Sequence, residues 1–354
     1  MRVCYFGTYR AQYSRNQIMI EALRQKGIEV IECHEPLWHD IDDRVQVASG
    51  GWFSIGFLLR LCRVLFRLLR AYLRIGSYDV MVLGYPGQLD VYLARLLTWI
   101  HRKPLVLDVF MSLYLIASER NIVDKSPISG YLLYKIERLA YRLPDLLIQD
   151  TSEYMNWFKN TFDISPQRFR LVPTGADDRV FYPRSKTSEN EKNFLVIYHG
   201  TFIPNHGVEY IVEAANLLRD ESGIHFELIG EGPSRKQAEQ LVEVYGLQNV
   251  SLVGWVEKED LPRRLSRADL CLGVFGSTPQ SLMTVQNKIY EAMAMAKPLV
   301  TGDSPTVRAQ LIQGQDLYLV PREDGAALAE AIRKLRSSPA LCKHLSESGH
   351  QTFK

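Results

Sequence analysis

The sequence predicts an α/β fold with two doubly wound parallel sheets, each in its own domain. Short apolar runs alternate with helix-length segments, which is the βαβ pattern of a parallel sheet. The alternation stops at a polar stretch, residues 183–193, and then starts again. A composition of this kind is typical of a solvated linker, and 354 residues suffice for two cores.

The predicted strands follow from these apolar runs. In the first half they are residues 3–6, 30–33, 80–83, 105–108 and 146–149. In the second half they are residues 195–199, 225–229, 250–252, 270–274, 299–301 and 317–320. Ligands of open parallel sheets bind outside the carboxyl ends of the strands. We therefore expect binding loops after these runs and a cleft between the domains.

The domain bounds predicted from this pattern have four parts. They are an N-terminal domain over residues 1–175, a linker over 176–193, a C-terminal domain over 194–336, and a helix over 337–354 that can pack back toward the first domain. We see no repeat at the period of a solenoid.

Composition excludes several function classes. The 42 basic and 40 acidic residues leave a net charge of +2, so we expect no nucleic-acid partner. The five cysteines are widely spaced without a CxxC motif, which indicates neither a disulfide framework nor a zinc site. The first residues lack the apolar segment of a secretory signal. We expect a cytoplasmic protein without a bound metal.

Residues 56–76, GFLLRLCRVLFRLLRAYLRIG, predict a basic amphipathic helix. Its five arginines fall within one arc of the helix, and apolar residues fill the rest. So many charges exclude an ordinary transmembrane span. Such a helix can lie on an anionic membrane, with Trp52 and Phe53 as further anchors. The alternative is a core helix whose arginines face water.

Two strand ends in the second half are marked by glycine. They are YHGTFIPNHG (198–207), with Gly200, and LIGEGPSRKQ (228–237), with Gly230 and Gly232. Backbone N–H groups near a helix N-terminus attract phosphate. The GxGxxG fingerprint of dinucleotide-binding proteins is incomplete here, because its third glycine is absent. Tight turns alone would also explain these glycines.

Five motifs of the second half, in this order and spacing, resemble the family 4 glycosyltransferases. They are LVPTGADDRVFYP (171–183), HGTFIPNHGVEYIVEAANLL (199–218), LIGEGP (228–233), LVGWVEKEDLPRRLSRADLCLG (252–273) and NKIYEAMAMAKPLVT (287–301). The resemblance implies a GT-B fold of two Rossmann-like domains. It also implies sugar transfer, with retention of anomeric configuration, from a nucleotide-sugar donor to an acceptor, without a metal. We favour UDP as the nucleotide. The acceptor is unknown, and membrane contact would make a membrane-presented one plausible.

The resemblance also implies site residues. Glu291 would bind the ribose hydroxyls, since a carboxylate offers two acceptor oxygens to a diol; an ion pair with Lys288 or Lys297 is the alternative. The loop 254–256 would lie beside the base, with Trp255 covering the ring or packing in the core. The expected donor-binding residues are Glu291, Gly200, Thr201, Gly230, Gly232, Gly254, Trp255, Val256, Asn287, Gly7 and Arg15.

The expected catalytic residues are Asp108, His206 and Lys288. Asp108 could orient a hydroxyl or only turn the chain at a strand end. Gly7 permits close approach of phosphate, and Arg15 could bind an anionic group, although a surface arginine is also plausible.

Several positions depart from the family pattern. Met283 stands where the family has a glutamate, and Thr201 and His206 stand where it has arginine and lysine. The stretch 104–112 lacks a histidine that relatives place there. Lys288 is the nearest alternative cation, and His206 could donate a hydrogen bond or be a plain surface histidine. A binding protein without turnover and a nucleotide-sugar epimerase are therefore the alternative functions.

Overall fold

The computed structural model describes residues 1–37, 55–185 and 193–354. It divides the chain into two units, Met1–Pro173 and Thr174–Lys354. Each unit contains a six-stranded sheet whose paired strands are parallel. The predicted α/β class with two doubly wound sheets is confirmed.

The first unit has the strand order β2-β1-β3-β4-β5-β6. Its strands are β1 (Arg2–Gly7), β2 (Glu29–His34), β3 (Val80–Leu83), β4 (Leu105–Asp108), β5 (Leu146–Gln149) and β6 (Phe169–Leu171). Its helices are α1 (Ser14–Gln25), α2 (Ile55–Tyr72), α3 (Val91–His101), α4 (Leu113–Glu119), α5 (Ile122–Lys125), α6 (Pro127–Ala140) and α7 (Ser152–Phe162). The side chains of Val3, Tyr5 and Phe6 on β1 are all buried, as expected for a strand covered by helices on both faces.

The second unit has the strand order β12-β11-β10-β7-β8-β9. Its strands are β7 (Phe194–His199), β8 (Ile224–Ile229), β9 (Val250–Val253), β10 (Leu270–Leu272), β11 (Leu299–Gly302) and β12 (Tyr318–Val320). Its helices are α8 (Val208–Leu217), α9 (Arg235–Val244), α10 (Leu261–Leu265), α11 (Pro279–Met283), α12 (Asn287–Ala294), α13 (Pro305–Gln310), α14 (Gly325–Arg336) and α15 (Pro339–Phe353). The strand order reverses between β7 and β10, and ligands of open α/β sheets bind at such a switch point.

All predicted strands are present, with bounds within two residues of those predicted. β6 was not predicted. It has three residues, of which only Phe169 is buried, so it gives no apolar run in the sequence.

The boundary between the units lies near the predicted linker. Phe181, inside the predicted range 176–193, is buried in a core cluster of the second unit. Asp177 accepts a hydrogen bond from Lys258 at 3.2 Å. The first part of the range therefore packs on the second unit, and residues 186–192 lie outside the described residues.

The C-terminal helix α15 packs on α12 and α14 of its own unit. Leu345 is buried, and His350 Nδ1 lies 3.0 Å from the carbonyl oxygen of Met293 on α12. This packing links the C-terminal helix to the helix that carries Lys288 and Glu291. A contact of this helix with the first unit stays a prediction.

The basic segment 56–76 forms α2 and the turn after it. Its buried residues, Phe57, Val64, Leu68 and Tyr72, form a narrow seam on one side of the helix. Within the parts of the chain that are described, no helix is long and apolar enough to span a bilayer. The proposed anchors Trp52 and Phe53 lie outside those parts.

Candidate functional site

The loops after β7 and β8 touch each other through glycines. Gly200, Gly230 and Gly232 have φ angles of 136°, 138° and 148°, which residues other than glycine rarely adopt. A Cβ atom on Gly230 would lie 2.0 Å from the carbonyl oxygen of Gly200, and one on Gly232 would lie 2.5 Å from that of Phe202. Glycine is therefore required for the close approach of these two backbones.

The backbone N–H groups of two of these glycines already have partners in the protein. Gly200 donates to the carbonyl of Ile229 at 2.9 Å, and Gly230 donates to that of Val253 at 3.0 Å. The tight-turn interpretation thus describes their structural role. Phosphate binding by these two N–H groups would require breaking those bonds.

Lys288 places its buried amino group beside these loops. Its Nζ lies 4.1 Å from the centroid of the Tyr198 ring and 3.2 Å from Nδ1 of His206. Burial lowers the pKa of Lys288 to about 7, although the nearby Glu291 carboxylate acts in the opposite direction. Among the described residues this ammonium contacts a ring and an imidazole rather than a carboxylate in ion-pair geometry. Because a buried charge is costly without a counter-charge, the position favours an anionic ligand.

His206 belongs to the same cluster. Its Nδ1 lies 2.8 Å from the hydroxyl of Tyr198 and 2.5 Å from the carbonyl oxygen of Thr201. One ring nitrogen cannot both donate to this carbonyl and accept from the Lys288 ammonium. Burial, and then the charge of Lys288, keep the pKa of His206 well below its usual value. His206 is therefore a neutral, packed imidazole rather than a free surface histidine.

Glu291 lies one turn after Lys288 on α12, at the i+3 position. Its Oε2 is 2.7 Å from Nε2 of His199, and both side chains are largely buried. The alternative prediction for Glu291 was an ion pair with Lys288 or Lys297, but its carboxylate contacts His199 instead. Lys297 donates to two backbone carbonyls of the α10–β10 segment.

Sequence reasoning missed His199. It is the last residue of β7 and directly precedes Gly200, so its place at a carboxyl strand end was a usable signal. The contact with Glu291 was not predictable, because the two residues are 92 positions apart.

The predicted base loop lies next to the β8 loop. A Cβ atom on Gly254 would be 3.2 Å from Oε1 of Glu231, the neighbour of Gly232. Trp255 is 61% exposed, and its indole N–H donates to Glu257 at 3.1 Å. Trp255 therefore does not pack in the core, whereas Val256 packs against a core cluster.

Arg322, which follows β12, is a second and partly buried cation that sequence reasoning missed, and its guanidinium lies at the loops after β10 and β11. Arg322 donates to the carbonyl of Gly276 at 2.5 Å and to that of Asp303 at 2.7 Å. Its burial lowers its pKa to about 10. The Gly276 loop also packs against the β7 loop, since a Cβ on Gly207 would be 2.4 Å from the nitrogen of Gly276. No motif pointed to Arg322, because it follows a strand without a glycine signature.

The structure thus brings Gly200, Thr201, His206 and Lys288 together at the switch point, with Glu291 one turn away. Asn287 begins α12, directly before Lys288. Gly254 of the base loop lies beside Glu231. Three other predicted residues, Gly7, Arg15 and Asp108, are in the first unit.

In the first unit, Arg15 and Asp108 pair with each other. The guanidinium donates to both carboxylate oxygens, with Nε 2.7 Å from Oδ2 and Nη2 2.8 Å from Oδ1, and both side chains are buried. Arg15 is therefore not a surface arginine. Each group neutralises the other, so any role of either in ligand binding stays a prediction.

Because Gly7 has no side chain, a carboxylate of the protein itself, that of Asp90, lies close to its backbone. A Cβ on Gly7, where φ is 129°, would lie 2.6 Å from Oδ2 of Asp90. The N–H of Thr8 donates to the same oxygen at 2.6 Å. The anion beside this loop is thus Asp90, whose pKa burial raises to about 6.

Asp150, after β5, is a buried carboxyl group that sequence reasoning missed. Burial raises its pKa to about 7, while the charge of Arg15 opposes the shift. Across the described ranges, no group of three or more His, Cys, Asp or Glu side chains is arranged to hold a metal ion.

The second unit of the chain matches a known protein family. Residues 193–338 match the protein family described as Glycosyl transferases group 1. Alpha-D-kanosaminyltransferase of Streptomyces kanamyceticus is 26% identical over 257 residues, covering 69% of this chain and 64% of that protein. The chain thus spans less than two thirds of the length of this relative.

Solved structures share the whole two-unit fold. Sucrose-phosphate synthase from Thermosynechococcus elongatus has a TM-score of 0.74 at 17% identity, covering 100% of this chain and 94% of that one. Anabaena Alr3699/HepE, solved with UDP-glucose, has a TM-score of 0.71 at 16% identity, with the same coverage. At such identities the likeness concerns the fold alone, and it confirms the predicted GT-B architecture.

Proposed function

We propose that this chain, in which residues 193–338 form a glycosyl transferases group 1 domain on a GT-B fold, moves a sugar from a nucleotide-sugar donor to an acceptor. The predicted resemblance to glycosyltransferases is thereby confirmed for this domain. Membership of family 4 in particular stays a prediction. So do the retaining mechanism and the identities of the donor and the acceptor.

The observation that carries the proposal is the buried Lys288 ammonium one helical turn from Glu291, at the switch point of the sheet. Cleavage of a glycosyl–phosphate bond develops negative charge on the departing diphosphate, and positive charge placed there stabilises the transition state. Lys288 would supply that charge. Glu291, oriented by His199, would accept hydrogen bonds from the ribose hydroxyls.

The finer chemistry is proposed from the family resemblance. In a retaining transfer on one face of the donor, the leaving phosphate accepts the proton of the acceptor hydroxyl, so no protein base is obligatory. UDP is the favoured nucleotide, and Anabaena Alr3699/HepE, a protein of the same fold, has been solved with UDP-glucose. With Lys288 at the diphosphate, we expect activity to persist when divalent metals are removed with EDTA.

The acceptor is proposed to be presented at a membrane surface. The basic segment 56–76 supports this proposal, because arginines and apolar side chains alternate along it. The protein would then act in the cytoplasm, bound peripherally to the inner face of the membrane. No nucleic-acid partner is proposed.

The test separates the roles of Lys288 and Glu291 by calorimetry with UDP and with uridine. Lys288→Met should weaken UDP binding by about 10- to 100-fold, since a hydrogen bond to a charged group contributes about 1.5–3 kcal/mol. It should leave uridine binding unchanged. Glu291→Ala should weaken both ligands by a similar factor, because both carry the ribose.

Lys343→Met is the matched control, because Lys343 is an exposed lysine on α15. It should bind UDP as the wild type does. Loss of uridine binding in Lys288→Met, or no nucleotide binding by the folded wild type, would contradict the proposal. UDP binding without hydrolysis or transfer of any donor sugar would favour the binding-protein alternative. Interconversion of UDP-sugars would favour the epimerase.

A further inference from the structure

Three helices of the first unit form one layer on its sheet. α2 connects β2 to β3, α3 connects β3 to β4, and α6 lies in the connection from β4 to β5. These connections run in the same direction across the sheet, and right-handed crossovers place them on the same face. Side chains join neighbours in the layer: Tyr72 of α2 contacts His101 of α3 at 3.0 Å, and Tyr92 of α3 donates to the Ile136 carbonyl of α6 at 2.6 Å.

The outer side of this layer is unusually apolar. Of the 19 large hydrophobic side chains that are exposed in the described residues, 12 lie on these helices or directly after them. The most exposed on α2 and its following turn are Ile55 and Leu73, at 77% and 73%; on α3, Trp99 and Ile100, at 63% and 66%; and on α6, Ile128, at 77%. Single exposed apolar residues are ordinary, but a concentration on one face marks an interaction surface.

The same face is strongly basic. Arg63, Arg67, Arg70 and Arg74 are exposed along α2 and its following turn, and residues 55–76 contain no acidic residue. Arginines beside apolar side chains match an anionic bilayer interface, where the charges meet headgroups and the apolar groups enter the acyl boundary. A face that only contacts water would explain the arginines but not the exposed tryptophan, leucine and isoleucine.

We infer that the outer face of α2, α3 and α6, called here the three-helix face, docks on an anionic phospholipid bilayer. The inference deepens the proposed function, because it identifies the surface at which the transferase would meet its acceptor. Only this purpose rests on the proposed function; the binding to the bilayer does not. It extends the membrane contact beyond residues 56–76 to α3 and α6. The charge of the lipids sets the attraction, and the apolar side chains set the depth of insertion.

The test is co-sedimentation of the full chain with vesicles of phosphatidylcholine, with and without phosphatidylglycerol. The wild type should bind the anionic vesicles and not the neutral ones. The double variant Trp99→Glu/Ile100→Glu, which leaves α2 intact, should bind at least about tenfold more weakly, since it replaces inserted apolar area with charge. Replacing the four exposed arginines of α2 with glutamine should abolish binding.

The matched control is Val244→Glu/Ile312→Glu, which changes two exposed apolar residues of the second unit, at 78% and 57% exposure. Its vesicle binding should equal that of the wild type. Brominated lipids should also quench the fluorescence of the wild type more than that of Trp99→Phe, because Trp99 would lie at the acyl boundary.

Three outcomes would overturn the inference. The first is that the wild type does not bind anionic vesicles. The second is that the control variant and the α3 variant lose vesicle binding to the same extent. The third is that the α3 variant abolishes self-association of the free protein and leaves vesicle binding unchanged. UDP binding is measured on every variant. Unchanged UDP affinity in the α3 variant separates a failure of this inference from a failure of the proposed transferase.

Discussion

At the scale of single residues, the unusual property of the site is the lowered pKa of Lys288. Because burial sets this pKa to about 7, the free protein carries a mostly neutral amine at pH 8. A bound diphosphate brings negative charge beside Nζ and so raises the pKa again. We therefore expect UDP binding at pH 8 to take up close to one proton at Lys288. Binding at pH 6 should take up much less than one, because the amine is already mostly protonated there.

The measurement is calorimetry of UDP binding at pH 8 in Hepes and in Tris, whose ionisation enthalpies differ. The slope of the observed enthalpy against buffer enthalpy gives the number of protons taken up. Lys288→Arg is the control, because a guanidinium stays charged at every pH used. Equal proton uptake in the wild type and the arginine variant would show that another group titrates.

Sequence reasoning identified Lys288, Glu291 and His206 but not the contacts among them. Lys288 and Glu291 are three positions apart on one helix, so their proximity follows from helical geometry. The approach of His206 to Lys288 and of His199 to Glu291 depends on how β7 lies beside α12. Such long-range packing leaves no pattern in the sequence. Resemblance to a family supplied the candidate residues, and the fold supplied their partners.

At the scale of elements, the crossing of the β7 and β8 loops depends on Gly230. Its φ of 138° and the 2.0 Å that would separate an added Cβ from the Gly200 carbonyl oxygen both oppose any side chain. We expect Gly230→Ala to lower the free energy of unfolding by more than about 3 kcal/mol, because the neighbouring backbone must move in addition to the strain at φ.

Gly246→Ala tests the separate effect of the backbone angle. Gly246 has φ of 63°, and a Cβ added there would meet nothing within 4 Å, so this variant should cost only about 1–2 kcal/mol. Urea unfolding of both variants checks the comparison. Equal costs would show that the loop crossing relaxes without penalty.

The buried strands were easier to predict from the sequence than the exposed strand β6 and the extent of the linker. The buried parallel strands give continuous apolar runs, and all of these were found. β6 escaped because two of its three side chains are exposed. The predicted linker 176–193 was assigned by its polar composition, yet Phe181 inside it is buried. One apolar side chain in a polar segment is too weak a signal to indicate packing.

At the scale of the whole molecule, the first unit contains buried carboxyl groups whose ionisation opposes folding. Burial raises the pKa of Asp150 to about 7 and that of Asp90 to about 6, from an ordinary value of 3.8. Between about pH 4 and pH 7 the folded chain therefore binds more protons at these groups than the unfolded chain does. Stability from this source is fully present below pH 4 and is lost as the pH rises through 7.

Asp150→Asn should remove the part of this pH dependence that comes from Asp150. The variant should match the wild type at pH 4 and should be more stable at pH 8, by up to about 4 kcal/mol for a pKa shift of this size. The charge of Arg15 limits the gain, since the variant leaves the Arg15–Asp108 pair without its neighbouring carboxylate.

Urea unfolding at both values of pH, read out by hydrogen exchange in first-unit peptides, measures the difference. Asp220→Asn, at a side chain that is 94% exposed, is the control, and its stability should follow that of the wild type at both values of pH. A stabilisation of Asp150→Asn that is equal at pH 4 and pH 8 would assign the effect to packing, and the buried charge would then play no part in the pH dependence of the molecule.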